Sequence, residues 1–100
     1  MSFISKHKEI GIVKVGSKNV VEFFWKEGVP KDFIVEEIRT SCGCTTPRFD
    51  KEVGILTATY TAGKIPKHLK EKGMYVTTKR ITVDTNYGDS ILTFKATVIL

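Results

Sequence analysis

"ITVDTNYGDSILTFKATVIL", residues Ile81–Leu100, decides the fold. Asn86-Tyr87-Gly88-Asp89 supplies the residues that tight hairpin turns require, and alternating apolar and polar residues run away from it on both sides. Upstream, Met74–Thr85 turns Ile81 and Val83 inward. Downstream, Ser90–Leu100 places Leu92, Phe94, Ala96, Val98 and Leu100 on one face. A period of two over runs this long specifies strands with one buried side.

The same period recurs towards the N-terminus. A first strand is expected over Glu9–Val15, ended by Gly16 to Asn19. A second, Val20–Lys26, puts Val21, Phe23 and Trp25 on one face and Val20, Glu22 and Phe24 on the other. The loop Glu27–Asp32 leads into a third strand, Phe33–Cys42, whose apolar residues change phase. Phe33 and Val35 share a face, but Ile38 lies three residues beyond Val35, so a β-bulge is predicted at Glu36 and Glu37. Past it, Ile38, Thr40 and Cys42 face inward. A fourth strand, Ile55–Thr61, turns Leu56, Ala58 and Tyr60 to the core. Ala62–Gly73 reads as a polar connection with Pro66 and one short helical turn.

No helix-length stretch keeps a 3.6-residue period. Six or seven short strands in 100 residues imply one domain, an immunoglobulin-like antiparallel β-sandwich of about seven strands over residues 1–100. The length suffices for a core burying roughly two thirds of the unfolded surface. No stretch approaches the ~18 apolar residues of a membrane helix, and the N-terminus lacks a signal-like apolar segment, so the expectation is a chain cytosolic at synthesis with no membrane partner.

Both cysteines fall in "RTSCGCTTP", Arg39–Pro47. In an extended strand, residues two apart share a side but stand too far apart to bond. The simplest reading is a packed corner: Cys42 fills the core, Gly43 makes the turn and Cys44 caps it, with both expected as thiols in a reducing compartment. A glycine at positive φ would instead fold the pair into a disulfide. Metal is the remaining option, since Cys42, Cys44, His7 and His68 are the whole soft-ligand inventory, although a lone CxC is not a zinc spacing. No metal or cofactor is called for.

Sixteen Lys and Arg against eleven Asp and Glu give a net charge of +5. A surplus of that size is ordinary for a soluble domain, although Lys64, Lys67, His68, Lys70 and Lys72 could meet phosphates. That segment has no aromatic for base stacking and carries Glu71, which disfavours nucleic acid. No Ser, His and Asp set, isolated carboxylate pair or phosphate-cradling loop suggests an enzyme. Val20, Phe24, Ile91 and Ile99, left by alternation on outer faces, are the candidate interface. The terminal "TVIL" is a candidate for strand addition.

The chain resembles a widespread bacterial family of unknown function, an immunoglobulin-like sandwich related to Hydin-type and sperm-protein-like domains. The resemblance rests on the Ser41–Thr45 SCGCT stretch with Ile38 four residues before its first cysteine, on "EIGIVKVG", "VEFFWKEG" and "KRITVDTN", and on "LTFKATV". It differs from the family pattern at Lys26, where Asn is usual, and at Val53, where Pro precedes the glycine. The resemblance implies a sandwich, a structural role for Cys42, Gly43 and Cys44, and non-catalytic adhesion or scaffolding with protein partners, copies of itself included. Likeness to small modules that decorate or cement tailed-phage capsids and tails makes an accessory virion protein the expected setting.

Overall fold

The computed structural model describes residues 3–26 and 28–100. Met1, Ser2 and Glu27, the last of which opens the expected Glu27–Asp32 loop, lie outside the described residues. Eight strands form among them: β1 (Phe3–Ile4), β2 (His7–Lys14), β3 (Lys18–Trp25), β4 (Val35–Thr40), β5 (Thr45–Asp50), β6 (Ile55–Thr61), β7 (Met74–Thr85) and β8 (Gly88–Ile99). The first sheet runs β1-β3-β6-β5 and the second β2-β8-β7-β4. This is the immunoglobulin-like arrangement, with the N-terminal strand divided between the two sheets. Ser5, at φ 49°, makes the step from β1 to β2.

All pairings are antiparallel except β2 with β8, which is parallel. Side-chain alternation builds the core between the sheets. Val21, Phe23 and Trp25 from β3 meet Leu56, Ala58 and Tyr60 from β6, and against them lie Ile81, Val83, Leu92, Phe94, Ala96 and Val98 of the second sheet. The bulge expected in β4 is present as a register shift between Val35 and Glu37, and it returns Ile38 to the inner side. Asn86 and Tyr87 form the two-residue turn of the β7–β8 hairpin. Thr85 Oγ1 locks it by donating to the Gly88 carbonyl at 2.7 Å and accepting from Tyr87 N–H at 3.1 Å. The connection after β6 holds a 3₁₀ turn, Lys67–Lys72, pinned by buried Ile65 and partly buried Leu69.

Two strands exceed the sequence expectation. β5 contains Pro47, which has no N–H to give a ladder. It is accommodated because β5 lies at the edge of its sheet and pairs only with β6. β1 is two residues long and survives by pairing Phe3 with Trp25 and Ile4 with Phe24. Leu100, expected inward, lies beyond the end of β8 and is 74% exposed. Phe33, expected within a strand, precedes β4 yet is fully buried, packed between Trp25, Phe49 and Tyr87.

Candidate functional site

The cysteine corner carries the chain from the second sheet to the first. Ser41 N–H donates to the Arg80 carbonyl and Ser41 Oγ accepts from Arg80 N–H, both at 2.9 Å, which ties the near side to β7. On the far side, Thr61 N–H donates to the Cys44 carbonyl at 2.9 Å, which ties it to β6. Between these anchors the backbone turns, with Thr45 N–H at 3.3 Å and Thr40 Oγ1 at 3.0 Å both donating to the Cys42 carbonyl.

Within that turn Cys42 and Cys44 are joined by a disulfide, with their Cα atoms 5.3 Å apart. The expectation of two thiols is therefore corrected. The bend shortens a separation that would be roughly 6.6 Å in an extended strand to one usual for disulfides. The packing roles are also exchanged: Cys44 lies against the core, while Cys42 is half-buried at its margin. Gly43 lies in the turn as expected, but without the positive φ attached to the disulfide alternative. Its φ is not in the left-handed region, and a Cβ built on it would meet nothing within 4 Å. The surrounding hydrogen bonds, rather than glycine's freedom, set the turn. Cys44 N–H points at Cys42 Sγ, 3.1 Å away, so a thiolate formed on Cys42 would have a donor waiting.

The other soft ligands lie elsewhere. His7 Nδ1 is 2.7 Å from Thr93 Oγ1 on the outer side of the second sheet, and His68 is exposed on the 3₁₀ turn. Among the described residues no group of three or more His, Cys, Asp or Glu side chains converges on a point.

The four candidate interface residues split into two sets. Val20 and Phe24 lie on the outer face of the first sheet, 62% and 41% exposed. Ile91 (54%) and half-buried Ile99 lie on the outer face of the second, roughly 26 Å apart along β8. Only Phe24 belongs to a continuous apolar row. Its cross-strand neighbours are Ile4 on β1 and Ile55 on β6, giving Ile4–Phe24–Ile55 across three strands. Beside this row lies an open groove of about 390 Å³ lined by Thr46, Arg48, Asp50, Thr57 and Thr59. Ile4 escaped the sequence reading because β1 is too short to show a period, and Ile55, although read as the start of the fourth strand, joins the row only once β6 is paired with β3. Ile99 is flanked by Met74 and Lys14, and nearby Ile12 faces Val76 across Thr97.

Strand addition at "TVIL" is corrected by the topology. β8 is an interior strand, hydrogen-bonded to β2 on one side and β7 on the other. The sheet edges are β1, β5, β2 and β4: two residues, a proline strand, and two strands with register shifts, the one in β2 next to Gly11 at φ 78°. Such edges resist pairing with foreign strands.

Lys64, Lys67, His68, Lys70 and Lys72 are all exposed, and the segment points its charges outward while Ile65 and Leu69 hold it down. It shares one end of the molecule with the β2–β3 turn and the start of β7. Gly16 N–H donates to the Ala62 carbonyl, and Val15 N–H to the Ile99 carbonyl.

Two tyrosines have raised pKa values. Burial lifts the Tyr60 hydroxyl, with the neighbouring Tyr75 adding to the effect. Tyr87 rises because its hydroxyl donates to Asp32 Oδ1, whose negative charge opposes a phenolate.

Residues 1–98 match the family model described as "Protein of unknown function (DUF1573)", and the chain belongs to that family. No curated protein and no solved structure is matched by the chain.

Proposed function

We propose that this member of a family of unknown function is a non-catalytic structural module that joins protein partners in a larger assembly. The observation that supports it is the Ile4–Phe24–Ile55 row. Single exposed apolar residues are ordinary, but three in register across adjacent strands form a surface that contact with another protein would desolvate. With every sheet edge blunted, recognition would run through faces and ends rather than through added strands. An accessory place in a tailed-phage particle, and kinship with Hydin-type domains, rest on likeness of fold and signature and form the finer part of the proposal.

A photo-crosslinking phenylalanine analogue at position 24 tests this in the native host. It is expected to give discrete protein adducts, whereas the same group at Lys95, on the opposite outer face, gives none. Absence of adducts at position 24 rejects the reading.

A second reading is favoured by the Cys44 N–H directed at Cys42 Sγ. A dithiol protein could attack Cys44 Sγ, breaking the Cys42–Cys44 bond and releasing Cys42 as a thiolate that this amide stabilises. The partner's second thiol would then displace Cys44, leaving the partner oxidised and this chain reduced. Mixing the oxidised chain with a single-thiol peptide and quenching with an alkylating reagent would support it if the peptide is found disulfide-linked to Cys44 and the alkyl group on Cys42. A disulfide that persists unchanged in reduced glutathione would exclude it.

A further inference from the structure

Topology gathers turns that are distant in sequence at the two ends of a rod, and charge segregates between them. The Cα envelope measures 51 × 18 × 17 Å, with the β7–β8 hairpin along its length. At one end lie the β2–β3 turn, the 62–73 segment and the start of β7. There Lys14, Lys18, Lys64, Lys67, Lys70 and Lys72 stand against Glu71 alone. None of these lysines has an ion-pair partner among the described residues.

At the other end lie the loop before β4, the β5–β6 turn and the β7–β8 hairpin, held together by Phe33 between Trp25, Phe49 and Tyr87. Here Asp32, Glu36, Asp50, Glu52 and Asp89 are exposed, and Glu37 and Asp84 are already engaged by Arg39. Lys26, Lys31 and Lys51 oppose them there, and Arg48 flanks Asp50 on β5. Each end also exposes apolar side chains: Met74 and Leu100 at the basic end, Ile34, Val53 and Tyr87 at the acidic one.

We infer that copies of this chain associate end to end, the lysine-rich end of one against the acidic end of the next. This rests on the interaction-module reading and names a second copy as the partner. The occupant follows from charge complementarity: each end is the electrostatic counterpart of the other, and each exposes apolar groups that such a contact would cover. The two patches differ, so the contact is heterologous and leaves a free end on each copy. Such contacts propagate into linear arrays instead of closing as a two-fold dimer. An end of 18 × 17 Å offers roughly 300 Å² per copy, well below the area of a stable interface. The contact is therefore reversible, salt-released and favoured where copies are concentrated.

Sedimentation velocity on the full chain tests this at about 0.01 M and 1 M salt, where the screening length falls from ~30 Å to ~3 Å. At low salt the mean mass should rise with protein concentration beyond two chains, and at high salt it should return to one. Lys70→Glu with Lys72→Glu should abolish the rise, as should Glu52→Lys with Asp89→Lys. Mixing the two variants should bring back pairs of chains, since one keeps its acidic end and the other its lysine end, which a merely misfolded variant could not do, and circular dichroism confirms each fold. A plateau at two chains for the parent, single-end variants that associate like the parent, or a mixture that stays monomeric overturns the inference. A chain monomeric at every salt concentration also overturns it, and binding of a DNA duplex by its lysine end would then mark a polyanion contact. Position-24 crosslinks to a foreign protein would meanwhile leave the interaction-module reading standing.

Discussion

Tyr87 and Asp32, 55 residues apart, are joined by a hydrogen bond from the phenol to the carboxylate, and this bond fastens the β7–β8 hairpin to the loop before β4. Asn86 works beside it, accepting from Ile34 N–H and donating to the Asp32 carbonyl, each at 2.7–2.8 Å. Tyr87 is also stacked on Phe33, with ring centroids 6.0 Å apart. The hairpin tip is thus a polar clasp laid over an aromatic cluster.

The clasp gives stability a pH dependence at the alkaline end. The folded-state pKa of Tyr87 lies above the ordinary tyrosine value of about 10. Its contribution is therefore complete below that value and lost as pH rises through the folded pKa. Ultraviolet titration should show two of the three tyrosines, Tyr60 and Tyr87, ionising late, and Asp32→Asn should move the Tyr87 ionisation to lower pH while leaving that of Tyr60 in place.

The Cys42–Cys44 bond closes a three-residue loop, so chain entropy gives it only roughly 1.5 kcal/mol of stabilising effect. Urea unfolding with and without a phosphine reductant should differ by about that much, with the folded circular-dichroism spectrum retained. Collapse on reduction would show that the bond holds the two sheets together instead.

Two glycines should differ in their tolerance of alanine. Gly54 sits at φ 69°, and a Cβ there would stand 3.2 Å from both Trp25 Cβ and Val29 Cγ2. Gly54→Ala should destabilise by about 1–3 kcal/mol. At Gly43, with open space and no left-handed φ, alanine should change stability by less than about 0.5 kcal/mol. Thermal melts of both variants check the pair.

Phe23 and Phe24 are adjacent and face opposite ways. Phe23 is fully buried, so Phe23→Ala should cost about 3–5 kcal/mol. Phe24→Ser should leave the melting midpoint near that of the parent while removing position-dependent partner contact. Equal losses from both would place Phe24 in the core.

Alternation made most of the sandwich readable in advance. The inward sets of β3, β6 and β8 and the phase change in β4 were visible because each strand buries one side, so a slipped register would bury polar groups. β5 was not visible because Pro47 counts against a strand wherever both sides must be paired, and only the finished topology shows which strands are edges. The disulfide was underweighted because the decisive bend comes from bonds to Arg80 and Thr61, partners far away in sequence. The charged ends were hidden for the same reason. Lys14 and Lys72 become neighbours only once β2, β7 and β8 are aligned.

The parallel pairing of β2 with β8 also governs how the domain bears tension. Seven residue pairs, from His7 with Thr93 to Lys14 with Ile99, lie along one ladder. Pulling β2 by its beginning and β8 by its end loads all of those bonds in shear at once, so none can part singly in a zipper. A domain tethered through those two strands would meet a pull along its length with the whole ladder at once.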